Sequence, residues 1–336
     1  MEQEGTGMQG LRGLAVALAT PFTADGAVDL PAFRRLVRHV AGGGADVLVA
    51  LGSTGEAATL DEAERDLLIE TCLEEAGGCT VLAGTGSNAT AVAARWTARA
   101  GALGAHGALV VTPYYNKPTV DGLVAHYRAI ADAAPGLPLV AYNVPGRTGL
   151  NLSPAALLRL WENEQVVAVK ESSGNLAQIG AIAAELPPGK VLLAGDDNLA
   201  LPSIALGASG VVSVLGNLLP AAMKVLVEHA LAGQLVEARA AHRALLPLMD
   251  ALFVESNPIP LKAGLTLLGL SGDAVRLPLV RAKLATRQGL LAALDTAGAT
   301  GPEGSLVAAA LDPANADASP SEEPARRPGA RARAGR

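Results

Sequence analysis

Short apolar runs recur along the chain, and each is followed by a longer stretch in which apolar residues return every three or four positions. The short runs cover 14–22, 47–52, 80–86, 108–113, 138–145, 166–172, 191–197 and 210–217. They are rich in Val, Ala and Leu and show little alternation, which predicts strands buried on both faces. The stretches between them predict helices over 30–40, 60–76, 89–100, 120–134, from Ser153 with Pro154 in its first turn, 176–186, 199–206 and 220–231. The 60–76 segment has the plainest ends: Thr59 and Glu62 read as a capping box and Gly77-Gly78 as its stop.

Eight strands alternating with helices predict an α/β fold, a (β/α)8 barrel. A doubly wound sheet is the competing topology, but no Gly-x-Gly-x-x-Gly turn follows the first strand. Gly84-Thr85-Gly86 has no lysine beside it and reads as a tight turn rather than a phosphate loop. Further helical segments at 235–253 (with Pro247 expected to bend it), 260–268 and 278–294 predict a C-terminal helical extension. The expected organisation is a lead at 1–13, the catalytic barrel at 14–232, the extension at 233–295 and a disordered tail at 296–336, where Ala, Pro, Gly, Ser and arginines take over.

Composition narrows the function. A net charge of −6 gives no basis for binding nucleic acid or an anionic membrane surface, and no apolar run is long enough to span a bilayer. Residues 1–10 carry acids and glycines rather than an apolar core, so no signal peptide is expected there. Cys72 and Cys79 form no metal-type spacing and fit a reducing, cytoplasmic setting. The five histidines are scattered, so no metal site is expected; Glu56 and Asp196-Asp197 read as structural hydrogen-bonding groups.

Candidate chemistry lies at the C-terminal strand ends, where barrel active sites form. The run Val166-Val167-Ala168-Val169 leads straight into Lys170. A lysine there either turns to water or is held in a dry place, where it loses its proton more easily and attacks a carbonyl to form a Schiff base. The chain has only four tyrosines, and Tyr114, Tyr115 and Tyr142 all fall at strand ends on this rim. Of six lysines, Lys170 alone ends an apolar strand run. Packing gives no reason for that concentration, which favours the Schiff-base role.

Six motifs in order resemble the dihydrodipicolinate synthase (4-hydroxy-tetrahydrodipicolinate synthase) family of pyruvate-dependent class I aldolases. They are Gly-Ser-Thr-Gly-Glu at 52–56, Pro-Tyr-Tyr-Asn-Lys-Pro at 113–118, Tyr-Asn-Val-Pro-Gly-Arg-Thr-Gly at 142–149, Val-Lys-Glu-Ser-Ser-Gly from Val169, Gly-Asp-Asp from Gly195 and Asn-Pro-Ile-Pro from Asn257. The resemblance covers about 14–294. It implies that Lys170 forms the Schiff base with pyruvate, with no cofactor. It implies that Tyr142 moves the proton through Ser53 and Tyr115, the latter reaching in from a neighbouring subunit of a homotetramer built as a dimer of dimers. It also implies that Ser53 and Thr54 amides hold the pyruvate carboxylate, that Arg147 grips aspartate semialdehyde, and that Gly195 (as a backbone acceptor) and Val212 line the pocket. Tyr114 is expected to pack. The implied activity is condensation of pyruvate with L-aspartate-4-semialdehyde in lysine and diaminopimelate biosynthesis. The alternatives are a keto-sugar-acid or sialic-acid lyase, whose members usually lack an arginine at the place of Arg147, and a barrel that binds a keto acid without turnover.

The chain departs from lysine-inhibited members of that family. Val92 stands where an acid would pair with the lysine ammonium, and Ala57, Glu62 and Arg65 replace polar or histidine side chains, while Asn88 and Tyr114 match. An uncompensated ammonium in an interface is costly, so weak or absent inhibition by lysine is expected.

Overall fold

The computed structural model describes residues 11–298. Eight parallel strands close into one barrel in chain order, with the doubly wound alternative excluded by the pairing of the first strand with the eighth. They are β1 (Gly13–Ala17), β2 (Val47–Ala50), β3 (Thr80–Gly84), β4 (Gly107–Val111), β5 (Leu139–Asn143), β6 (Val166–Glu171), β7 (Val191–Ala194) and β8 (Gly210–Ser213). Between them run α1 (Leu30–Gly42), α2 (Glu62–Glu75), α3 (Thr90–Ala102), α4 (Val120–Ala133), the one-turn α5 (Pro145–Thr148), α6 (Pro154–Trp161), α7 (Leu176–Ala184) and α8 (Ala200–Ala205). After β8 come α9 (Pro220–Leu231), α10 (Leu235–Ala251), α11 (Ile259–Leu267) and α12 (Leu284–Thr296).

The near-continuous apolar strands are explained by two cores. Ala15, Val47, Val49, Leu82, Leu109, Val140, Leu193 and Val212 fill the barrel interior. Their strand neighbours, among them Leu14, Leu48, Val81, Val110 and Leu192, face outward into the shell beneath the helices. Small residues let the layers approach. A Cβ on Gly84 would lie 2.0 Å from the Leu51 carbonyl oxygen, and one on Gly86 2.4 Å from the Val111 nitrogen. The Gly-Thr-Gly turn is therefore a close backbone crossing.

Several helix ends follow the sequence. Asp29 caps α1 through the Ala32 amide, and Ser153 caps α6 with Pro154 in its first turn. The capping box of α2 is a correction: Asp61 and Glu64 form it, not Thr59 and Glu62. Thr59 ends a preceding 3-10 turn over Ala57–Thr59, and its hydroxyl donates to the Glu56 carbonyl instead. The helix accordingly starts two residues later than the 60–76 pattern suggests. Helix α10 continues through Pro247, and α12 begins at Leu284, six residues after Pro278. Helix α12 ends at Thr296, just past the boundary read from composition. The lead before Leu11 and the tail after Gly298 lie outside the described residues. Among the described residues no helix is long and apolar enough to cross a membrane.

One outer-shell contact ties a helix to the barrel wall through a polar atom. Tyr127 of α4 is 1% exposed, and its hydroxyl donates to the Val110 carbonyl of β4 at 2.7 Å. Replacing it, Tyr127→Phe, removes this second bond from a carbonyl that also belongs to the β4–β5 ladder and is expected to lower unfolding stability by about 1 kcal/mol. A urea titration followed by circular dichroism checks this; an unchanged midpoint would mean the hydroxyl bond adds nothing net to stability.

Candidate active site

Lys170 and Tyr142 are direct partners in the β5–β6 register. Cross-strand partners in a sheet present their side chains on the same face. Here that face is the barrel interior, because Val140 and Ala168, the register pair two residues back, both belong to the inner core. Lys170 is 4% exposed and Tyr142 7%. The Lys170 ammonium lies over the Tyr142 ring, with Nζ 4.3 Å from the centroid. The amine and the phenol singled out in the sequence are thus neighbours at the C-terminal mouth.

Two carboxyl groups, Asp196 and Asp197, feel the charge of this amine. Burial pushes the Asp196 carboxyl up to about 6; Lys170 opposes the shift, while Asp197 and Glu171 add to it. Asp197 is also raised by burial, against the hydrogen bonds it accepts from the Val214 and Leu215 amides at 2.9 and 2.8 Å. Glu171 accepts from the Ser173 amide at 2.8 Å and from Asn143 Nδ2 at 2.9 Å. Asp197 and Glu171 therefore brace the β8 and β6 loops, as structural hydrogen-bonding groups do.

A cavity of about 420 Å³ opens at the same mouth, within the ordinary range for a small-molecule site. Ser53, Tyr114, Tyr142, Arg147 and Asn257 line it, and Lys170 stands off its wall, over the Tyr142 ring. Ser53 and Thr54 sit in a turn closed by the Gly55 amide on the Gly52 carbonyl (3.1 Å) and the Glu56 amide on the Ser53 carbonyl (3.2 Å). Among the described residues, no acceptor meets the Ser53 or Thr54 amide. Two adjacent free N–H groups in a tight turn suit a carboxylate. Thr54 itself is 2% exposed, and its hydroxyl accepts from Asn257 Nδ2 at 2.9 Å.

Arg147, on the one-turn α5, is exposed on the cavity wall and donates through Nη2 to the Asn257 carbonyl at 3.0 Å. Its remaining donors are available to an anion. Gly195 follows β7, and a Cβ there would lie 1.8 Å from Ser172 Oγ, so a side chain at this position would force that hydroxyl to move. Val212 is 1% exposed in the barrel interior. Tyr115 stands apart. It is 88% exposed, lies off the cavity wall and sits on left-handed backbone at φ +73°. Within one chain, then, Ser53, Tyr142 and Arg147 share the cavity, with Lys170 against Tyr142, while Tyr115 does not join them.

Sequence reasoning gave no role to Asn257, which touches both Thr54 and Arg147, nor to Lys262, which is fully buried and paired with Glu56. Lys262 left a signal: a rare lysine inside the apolar stretch Ile259-Pro260-Leu261-Lys262-Ala263-Gly264-Leu265.

Known proteins resemble this chain over nearly all of its described length. The 4-hydroxy-tetrahydrodipicolinate synthase of Thermosynechococcus vestitus is 47% identical over 283 residues, 84% of this chain and 96% of that protein. The crystal structure of the chloride-inhibited dihydrodipicolinate synthase from Acinetobacter baumannii complexed with pyruvate superposes with a TM-score of 0.84 at 40% identity, covering 86% of this chain and 99% of the other. The Cyanidioschyzon merolae enzyme with lysine bound gives 0.83 at 41% identity, over 86% and 99%. The sequence model of the Dihydrodipicolinate synthetase family matches residues 10–297, and the chain belongs to that family.

Proposed function

We propose that this protein is a 4-hydroxy-tetrahydrodipicolinate synthase, condensing pyruvate with L-aspartate-4-semialdehyde in lysine and diaminopimelate biosynthesis. The observation that carries this reading is the Lys170 amine, buried in the barrel mouth against the Tyr142 ring. The amine attacks the keto carbon of pyruvate, water leaves, and an iminium forms. The iminium accepts the electron pair released when a methyl proton departs, giving an enamine. The enamine carbon then bonds to the aldehyde carbon of the second substrate. Attack of that substrate's amino group on the iminium carbon closes the ring and frees Lys170. No cofactor takes part.

Tyr142 moves the proton. An ordinary phenol titrates near 10 and is a poor base alone, so it works through Ser53 and Tyr115 as relay partners. Tyr115, exposed in its own chain, reaches the cavity of a neighbouring subunit in a homo-oligomer, a dimer of dimers. The Ser53 and Thr54 amides hold the pyruvate carboxylate and Arg147 the carboxylate of the semialdehyde, with Gly195 and Val212 completing the pocket. The pyruvate bound to the Acinetobacter baumannii relative supports the keto-acid half of this assignment. A cytoplasmic setting fits the two free cysteines.

Incubation with pyruvate and borohydride is expected to leave a reduced adduct on Lys170, found by peptide mass spectrometry, and none in Lys170→Ala. Wild-type protein without the adduct would remove every Schiff-base reading. Arg147→Ala is expected to keep the adduct yet raise KM for aspartate semialdehyde roughly ten- to hundredfold, the cost of a lost charge-assisted bond. Turnover of a keto-sugar acid that ignores this substitution would favour a lyase instead. Lysine is expected to inhibit weakly or not at all. Glu62 is engaged by Arg95 at 2.9 Å, Arg65 is turned to the Gly84 carbonyl and stacked on Trp96, and Val92 offers no charge. Half-inhibition by sub-millimolar lysine in a steady-state assay would contradict this.

A further inference from the structure

The C-terminal extension reaches into the barrel mouth through a buried ion pair. Lys262 of α11 is 0% exposed, and its ammonium pairs with Glu56 Oε1. The same nitrogen donates to the Ala274 carbonyl at 2.8 Å and lies 4.0 Å from the centre of the Phe22 ring. Glu56 is 5% exposed, and its second oxygen accepts from the Arg276 amide at 3.0 Å. The Arg276 side chain also lies over Phe22, at 4.4 Å, and bonds to Glu64 Oε2 and the Thr59 carbonyl, each at 2.7 Å. The pair thus ties together the segment after β1, the loop after β2, and the extension.

Glu56 ends the turn that carries Ser53 and Thr54, and it holds left-handed backbone at φ +51° without being glycine. A buried ion pair is weak evidence for stability, since apolar groups of like volume often serve as well. A charge placed two residues after the free Thr54 amide therefore calls for a positional explanation. We propose that Lys262 and Glu56 are a positioning pair that fixes the Ser53 and Thr54 amides where the carboxylate of the keto acid binds. This rests on the Schiff-base assignment and adds to it a specific dependence of keto-acid affinity on the extension.

Lys262 is held down to about 8, by burial first and then by the Arg276 charge, against the upward pull of the Glu56 and Asp273 carboxylates. Its ammonium is present below that pH and lost above it, so the pair weakens as pH rises through about 8.

The test varies pyruvate at saturating aspartate semialdehyde, in wild type and Lys262→Met. The substitution is expected to raise the pyruvate KM roughly tenfold while leaving kcat and the semialdehyde KM within about twofold, the pattern of lost uniform binding at one substrate. The gap between the two proteins is expected to close above pH 8, where wild type loses the charge as well. A merely structural role would lower the amount of folded enzyme without this split or this pH dependence. Glu56→Gln keeps an acceptor for the Arg276 amide and is expected to give a smaller rise in the same KM. If either single variant fails to fold with its partner's charge stranded, Glu56→Gln combined with Lys262→Met removes both charges and carries the same measurement. A folded variant whose pyruvate KM matches wild type at all pH values, or one that loses kcat alone, overturns the proposal. Borohydride trapping separates the two failures: an adduct on wild-type Lys170 with an unmoved KM refutes only the positioning pair, whereas no adduct refutes the underlying assignment too.

Discussion

A single extra residue in β6 decides which way Lys170 points. The β5–β6 register pairs Leu139 with Val166 and then Val140 with Ala168, so Val167 has no partner. Side chains alternate along a strand, and Val166 faces the outer shell. Unbroken alternation would turn Lys170, four residues on, outward among the helices. The bulge shifts the parity once: Ala168 faces the inner core, Val169 the outer shell, and Lys170 the interior beside Tyr142. The next strand agrees, since Ala168 pairs with Val191 and Lys170 with Leu193, both on the inner side. The buried amine is thus delivered to the interior by a local irregularity that both neighbouring strands hold in place.

Order at the barrel mouth is maintained against local strain. Among the described residues, the non-glycine positions with positive φ are Leu51, Glu56, Tyr115 and Lys117, all on the loops after β2 and β4. Each such residue costs on the order of 1–3 kcal/mol and persists where its surroundings over-determine it. Around Leu51 and Glu56 those surroundings are visible: Thr20 donates to the Gly55 carbonyl at 2.7 Å, Asn257 to Thr54, and Lys262 meets Glu56. Strain in the loop and charges in the extension are two sides of one arrangement, in which contacts from the C-terminal extension hold the loop after β2.

What the sequence disclosed follows from what it can encode locally. Strand number, the closed topology and the rim residues were legible because apolar runs, glycine turns and scarce side chains leave a mark at their own positions. Lys170 and Tyr142 stood out in this way. The bulge did not, because a valine run buried on both faces carries no alternation to break. The α2 cap was misplaced because Thr59-x-x-Glu62 and Asp61-x-x-Glu64 overlap, and only the intervening 3-10 turn decides between them. The pairings of Asn257 and Lys262 lay hidden for a different reason: their partners, Thr54 and Glu56, are some two hundred residues earlier in the chain.

Tyr115 carries the reasoning past the single chain. Its neighbours in sequence are held: its amide donates to the Thr148 carbonyl at 3.3 Å, and Asn116 donates to the Asn88 carbonyl at 2.9 Å. Its ring nevertheless lies 88% exposed. A bulky aromatic in left-handed conformation is disfavoured by sterics, and an exposed ring recovers little from burial. Within one subunit the cost has no visible return. On the proposed reading it has one: the ring is buried only when a second copy presents its cavity, so the relay from Tyr142 is completed by association. Lys170, fixed by registers inside its own barrel, depends on no such event. Carbonyl capture and proton relay would then respond differently to dilution, the first belonging to the folded chain and the second to the oligomer.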